Sequence, residues 1–276
     1  MKLDVFKKHQ FSIAVIAIAI TIAWALKALA HPGFFSSHDG WHQLVRLYHF
    51  DAALSDGQFP VRWAGEALKG YGYPLFVFTY QIPFMIAQPF LWLGYSLWDA
   101  IKITFAIGYI ASAVTMYWFA KDLWGKWGGL LSAFMYVWAP YRFSNIYVRG
   151  SLGEHFTYIF IPMLFWGVYN IFKQFQTKQK SSTWLAPTPI LITALGASGI
   201  ILSHAIVLQL VFILLSLFGI ALVLISNQKT RFVINSLLGG LFGAGLSAYY
   251  LLPAVRYQSI ITGFNPLHFD EHFVQL

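Results

Sequence analysis

Apolar residues run in long blocks along this chain, and polar residues gather in a few places between them. Phe11 to Leu29 is nearly all apolar and long enough to cross a hydrocarbon layer of about 30 Å. Further blocks follow near 100–120, 127–141, 155–172, 186–203, 205–225 and 232–251. The pattern predicts an all-α, polytopic transmembrane helix bundle of about seven spans. Pro74 to Gly94 is also apolar, but Gln81, Pro83, Gln88 and Pro89 interrupt it. Each proline removes a backbone donor and disturbs the preceding turn, so this segment is expected to lie in the interface or to re-enter rather than cross. Ala28-Leu29-Ala30 resembles a signal-peptidase site, which makes a cleaved leader the rival reading of the first block; the block is longer than the usual leader core.

The most polar stretch is Ser36 to Tyr80. Ser36 or Ser37 can cap a helix that begins near His38, with Asp39 in its first turn and Gly57 at its end. Trp41, Leu44, Val45 and Tyr48 recur at i, i+3, i+4 and i+7, which makes an apolar face. Asp39, His42, Arg46 and His49 follow a +3, +4, +3 spacing and make a polar face. An amphipathic helix lying on the membrane with its apolar side down is expected here.

Composition agrees with the pattern. The chain is 58% hydrophobic, 19% aromatic and 10% charged, against about 25% charged in a soluble domain. Its formal charge of +8 comes from basic residues scattered between apolar runs, not from a patch, so no nucleic-acid partner is expected. There is no cysteine, which excludes disulfides, thiolate metal sites and a cysteine nucleophile. Excess Lys and Arg mark cytoplasmic loops. If Pro74–Gly94 does not cross, Lys121–Lys126, Lys173–Thr183 and Asn227–Arg231 become inner loops and the N-terminus is cytoplasmic. Residues 31–99, 142–154, a turn at His204 and 253–276 are then outside. Eight of the ten acids lie outside, all but Asp4 and Asp122, as do all the histidines but His9 when His155, at the outer end of a span, is counted with them. An integral protein of the cell membrane with its working site on the outer face is expected.

Several outer residues are candidates for chemistry. The Asp39, His42, Arg46 and His49 face can accept a proton, hold a phosphate or bind a metal; an ordinary solvated face is its bland explanation. His38, Asp39 and His42 are weak divalent-metal candidates, because no third strong ligand lies nearby in sequence; no metal or other cofactor is assigned. Arg149 and Glu154 sit at the entrance of a span, where a charge is costly unless functional or paired; a mutual ion pair is the structural alternative. His204, in ILSHAIV, is either a turn residue or a residue that reaches the site.

Certain words of the sequence carry a resemblance: DGWH, FPVRW, GYGYPL and RGSLGE. With the order of span, acidic outer loop, interfacial helix and arginine–glutamate loop, the chain resembles the membrane proteins called 6-pyruvoyl-tetrahydropterin synthase-related. Their architecture is similar to the GT-C glycosyltransferases. The zinc chemistry of the soluble synthase has no counterpart here. The resemblance implies that Asp39 is the catalytic base and Glu154 a second catalytic carboxylate. It implies that Arg62 and Arg149 hold the phosphate of a lipid carrier, with His42, Arg46 and His204 as further substrate-binding candidates. GT-C enzymes usually continue through more spans. Residues 1–276 are therefore expected to form a single GT-C-like domain, incomplete at its C-terminus, with 253–276 opening a later outer segment.

The implied activity is transfer of a sugar from a polyprenyl-phosphate donor to an unidentified acceptor at the outer face. The donor fits an outer site, because a lipid-linked sugar can be presented where nucleotide sugars are not. The chain lacks a phosphate-binding loop of the G-x-x-x-x-G-K-[ST] type. The alternative class is a non-catalytic membrane scaffold or transporter subunit.

Overall fold

The computed structural model describes residues 2–176 and 183–260, with side chains described over 9–176 and 183–259. Among these residues every regular element is helical; the only β pairing is an isolated bridge between Ala64 and Tyr73. The helices are α1 (Lys2–Ala25), α2 (Gly40–Ser55), α3 (Leu75–Phe78), α4 (Ile82–Trp92), α5 (Leu97–Trp138), α6 (Pro140–Phe143), α7 (Leu152–Gln174), α8 (Pro187–Ile225), α9 (Lys229–Leu246) and α10 (Ala248–Tyr257). The fold is all-α, as the hydrophobic pattern predicts.

Seven separate spans are not found among the described residues. Three helices, α5, α7 and α8, are long and apolar enough to cross a membrane. A fourth span results if α9 and α10, bent by 69° at Ser247, are taken as one. The difference lies in how the blocks join. The expected spans 100–120 and 127–141 both fall in α5, and 186–203 and 205–225 both fall in α8. The apolar described part of α1, His9–Ala25, is shorter than a full span.

Yet α5 and α8 are not straight rods. The Tyr109 hydroxyl donates to the Val137 carbonyl at 2.5 Å, although 28 residues of straight helix would separate them by about 42 Å. The reversal falls at Gly125, with φ +73° and ψ 179°, a backbone state that glycine reaches without a Cβ clash. α8 folds back at His204, where the backbone is extended. Its two ends meet the same turn of chain: Gln174 donates to the Leu185 carbonyl and Gln176 to that of Ile225. Each of these helices is therefore a hairpin with two apolar arms.

The arms pack through small residues. A Cβ on Gly167 would lie 2.6 Å from the Thr193 backbone nitrogen, and one on Gly196 would lie 2.6 Å from that of Leu164. Such contact lets α7 and α8 touch backbone to backbone, the usual way helices associate in lipid. α9 brings a stripe of Asn235, Gly239, Gly243 and Ser247 to α8. Asn235 accepts from the Ala186 N–H at 2.8 Å, and Ser247 donates to Ser198 at 3.1 Å. The outward arm of α8 is left apolar and uncovered, with Ile206 and Leu210 each 66% exposed.

At one end of the bundle, here the loop end, lie residues 31–99, the 139–151 connection and the bend at His204. α4 has 11 residues, about 16 Å of helix, so it cannot cross a bilayer. It packs Phe84 into a cluster with Phe50 and Phe76. Lys102 fixes the start of the loop: its ammonium donates to the carbonyls of His31 and Gly33 and pairs with Asp99 at 2.8 Å. Helix α2 begins one residue after Asp39, and neither Ser36 nor Ser37 caps it. It buries Gly40, Gln43, Leu44, Leu47, Phe50 and Ala53 against the bundle. Of the expected apolar face only Leu44 is covered, while Trp41, Val45 and Tyr48 point outward. Sequence periodicity found the outer apolar stripe and missed the inner one. Of the segment 253–276, residues 261–276 lie outside the described residues, as do Lys178 and Lys180.

Substituting Gly196 by leucine is expected to push α8 off α7 and to lower stability by about 1–3 kcal/mol, the usual cost of overpacking. Thermal unfolding of the detergent-solubilised chain measures it. An unchanged midpoint would show that the two backbones do not touch there.

Candidate functional site

Three segments meet at the loop end. The His38 and Asp39 N–H groups donate to the carbonyls of Val148 and Arg149 at 2.9 and 2.7 Å. The Gln43 side chain donates to the Gly150 carbonyl at 3.1 Å. Between them, residues 144–149 form a π-helical turn that ends at Gly150, with φ +64°. A Cβ on Gly150 would lie 2.9 Å from the Gly40 nitrogen, so both the left-handed backbone and the close approach require glycine. The third segment is the α8 bend: Gln81 N–H donates to the Leu202 carbonyl at 3.1 Å, and a Cβ on Gly153 would lie 2.6 Å from the Ser203 carbonyl oxygen.

Tyr80 is the hub of this junction. Its hydroxyl donates to Gln43 Oε1 at 2.7 Å and accepts from Arg46 at 3.3 Å, and its ring stacks on His204 with centroids 6.4 Å apart. Burial pushes the Tyr80 phenol up, against the opposing pull of Arg46 and Gln43, so it stays a neutral donor at ordinary pH. Arg46, Phe78, Thr79, Tyr80, His204, Ala205, Ile206 and Tyr250 enclose a cleft of about 230 Å³. One wall is polar. The other, at Ile206, continues into the uncovered apolar arm of α8.

The candidate charges divide into two kinds. Arg149 and Glu154 are paired at 2.5 Å, and the Tyr141 hydroxyl donates to Glu154 at 2.7 Å while accepting from Arg149. Burial pulls the Arg149 guanidinium down, but the Glu154 carboxylate and Tyr141 more than offset it and leave it raised. Burial and Glu154 push Tyr141 up. This is a closed ion pair. Arg46, by contrast, is half-buried and among the described residues has only neutral partners, Gln43 and Tyr80. Asp39 is half-buried too, and its carboxylate takes no hydrogen bond from the described residues.

Thus Asp39, Arg46, Arg149, Glu154 and His204 belong to one connected junction. The other candidates stand apart. Arg62 is exposed and among the described residues reaches only the Tyr249 carbonyl, at 3.5 Å. His42 is exposed on α2. Among the described residues no three His, Asp or Glu side chains come together to hold a metal ion. His38 precedes the helix, so the i, i+4 geometry sought for His38 and His42 does not arise.

Sequence reasoning missed Gln43 and Tyr80, and gave no role to Tyr141 and Arg142 in the outer cluster that holds Arg149 and Glu154. Gln43 could have been found, because Asp39, Gln43 and Arg46 also share a helical face at +4 and +3. Arg142 is 1% exposed beneath the junction, inside a ring of Tyr109, Tyr136 and Tyr158, with its carbon Cζ 4.1 Å from the Tyr158 centroid. It donates to Ser112 at 2.9 Å, and its Nε and Nη1 have no partner among the described residues. Cation–π attraction of this kind reaches about 2 kcal/mol when desolvated.

No family model matches the chain, and no solved structure matches it. An uncharacterized protein of Lactococcus lactis subsp. cremoris (strain MG1363) is 26% identical over 265 residues, which is 92% of this chain and 41% of that relative. The chain therefore spans about two fifths of the relative it matches.

If Gln43, Tyr80 and Arg46 form one network, Tyr80→Phe is expected to cost about 1–2 kcal/mol, and Gln43→Leu about 2 kcal/mol, because each leaves a partner unsatisfied. The double variant should cost less than the sum of the two. Unfolding midpoints of the three variants measure this; strict additivity would break the network into independent contacts.

Proposed function

We propose that the chain carries a GT-C-like membrane domain of the 6-pyruvoyl-tetrahydropterin synthase-related type. In this reading it transfers a sugar from a polyprenyl-phosphate donor to an acceptor hydroxyl. The observation that carries the reading is the cleft between Arg46 and His204. It joins a cation that has only neutral partners among the described residues to an apolar helix face, and so matches a ligand with an anionic head and a hydrocarbon tail. In this reading the arms of α5 and α8, with α1, α7 and the bent α9–α10 pair, form the membrane-embedded bundle. The loop end then faces the outside of the cell membrane and the N-terminus faces the cytoplasm.

The roles follow from which groups are available. Arg46 holds the donor phosphate with charge-assisted hydrogen bonds and stabilises it as it leaves. The Tyr80 hydroxyl orients the guanidinium, and His204 forms the facing wall. Asp39, with a free carboxylate on the same helical face as Arg46, takes the proton of the acceptor hydroxyl as that oxygen attacks the anomeric carbon. Glu154 and Arg149 neutralise one another, so their part is to hold the segment that anchors Asp39. Arg62, which reaches the Tyr249 carbonyl and not the cleft lining, has no part in this reading.

Arg142 favours a transporter as the second reading, because a buried charge inside a membrane bundle often marks a pathway. The two readings separate on one assay. In the full-length protein in vesicles, Asp39→Asn is expected to lower transfer from a polyprenyl-phosphate-linked sugar by about 10²–10⁴-fold, the range for a lost general base. Arg46→Gln should weaken donor binding about tenfold or more. Undiminished transfer in the Asp39 variant removes the assignment. Movement of a solute across the vesicle membrane that is lost on Arg142 substitution, with the Asp39 and Arg46 variants silent, would favour the transporter.

A further inference from the structure

The end of the bundle opposite the loops carries a different kind of surface. The α5 reversal at Gly125, the end of α7, both ends of α8 and the start of α9 all meet there. Phe11 packs on Trp127 with centroids 5.4 Å apart, Asn227 donates to the Gln176 carbonyl at 2.6 Å, and Asn235 donates to the Trp184 carbonyl at 3.1 Å. Lys121, Lys126, Lys173, Lys229 and Arg231 lie at this end. Its one described carboxylate, Asp122, is already engaged: it accepts from Trp166 at 2.7 Å and Asn170 at 3.1 Å, and Lys173 stands 3.5 Å away. Lys121, Lys126 and Lys229 are exposed and have no carboxylate partner among the described residues.

The cations also have a fixed relation to aromatic rings. Lys121 lies over Tyr117 at 5.8 Å, Lys126 over Phe11 at 5.3 Å, Lys173 over Tyr169 at 5.8 Å and Arg231 over Trp184 at 4.4 Å. Around them Trp124 is 65% exposed and Trp184 59% exposed. Exposed indoles level with lysines, where apolar helices end, is the arrangement of a membrane headgroup layer. A cation resting on a ring keeps its stem against apolar surface and its charge at headgroup depth.

We infer that this end is a binding surface for the phosphate headgroups of anionic lipids, carried by Lys121, Lys126 and Lys229. The excess of positive charge is complementary to an acidic leaflet, and the tryptophans fix the depth at which the charges meet it. The inference needs the chain to be in a bilayer but not the glycosyltransfer reading.

The test uses the whole chain purified in detergent. Phosphatidylglycerol and phosphatidylcholine with the same acyl chains are titrated in, and retained lipid is counted by native mass spectrometry alongside the thermal midpoint. Phosphatidylglycerol is expected to be retained preferentially and to raise the midpoint further. Changing Lys121, Lys126 and Lys229 together to glutamine should weaken the preference roughly fivefold for each charge removed. The matching lysine-to-arginine variant, which keeps the charges, should retain it, and Arg46→Gln at the opposite end should leave it unchanged. Equal retention of the two lipids, or full preference in the glutamine variant, overturns the inference. So does a midpoint shift reproduced by glycerol phosphate alone, which would show that no lipid surface is involved.

Discussion

The loop end depends on a backbone clasp. Two hydrogen bonds, from His38 and Asp39 to the carbonyls of Val148 and Arg149, tie residues from the first long loop to residues more than a hundred positions later. The clasp closes only because Gly150 turns left-handed and carries no Cβ to strike Gly40. Both N–H groups thus find their partners within the protein. With the clasp closed, the side chains on either side are placed: Asp39 at the N-cap of α2 and Arg46 within it, Arg149 and Glu154 on the other segment. Tyr80 then bridges the clasp to the α8 bend.

Electrostatics sorts these side chains into structural and available groups. A half-buried arginine next to a carboxylate satisfies that carboxylate and loses its own freedom to bind. This is the state of Arg149, Glu154 and Tyr141. Arg46 has amide and phenol oxygens around it, which orient a guanidinium without cancelling its charge. In a cleft with one apolar wall, an uncancelled charge attracts an anion more strongly than it would in water. The asymmetry between two arginines of the same junction is what gives the site a direction.

Much of the architecture could be read from spacing alone. The apolar blocks marked the helices, the prolines at 83 and 89 marked a segment too broken to cross, and the +3, +4 pattern after Asp39 marked α2. The segmentation was less legible. Blocks separated by a short polar break look the same whether the chain starts a new helix or folds one helix back at Gly125 or His204. The two-sided burial of α2 was hidden for a related reason: Trp41 and Val45 satisfy the apolar pattern as well as Leu47 and Phe50 do, and only neighbours decide which stripe is covered.

The sequence by itself determined that the chain is helical, apolar and charged at a few loop positions, because hydrophobic periodicity and proline or glycine breaks act through local backbone physics. It also put Arg46 on a helix that starts beside Asp39, since helical spacing is fixed. Only the tertiary structure decided that Glu154 is spent on Arg149 while Arg46 is not, and that Tyr80, without any motif around it, links Gln43, Arg46 and His204. Those outcomes depend on which distant carbonyls, phenols and carboxylates come within about 3 Å, and no local rule along the chain encodes that distance.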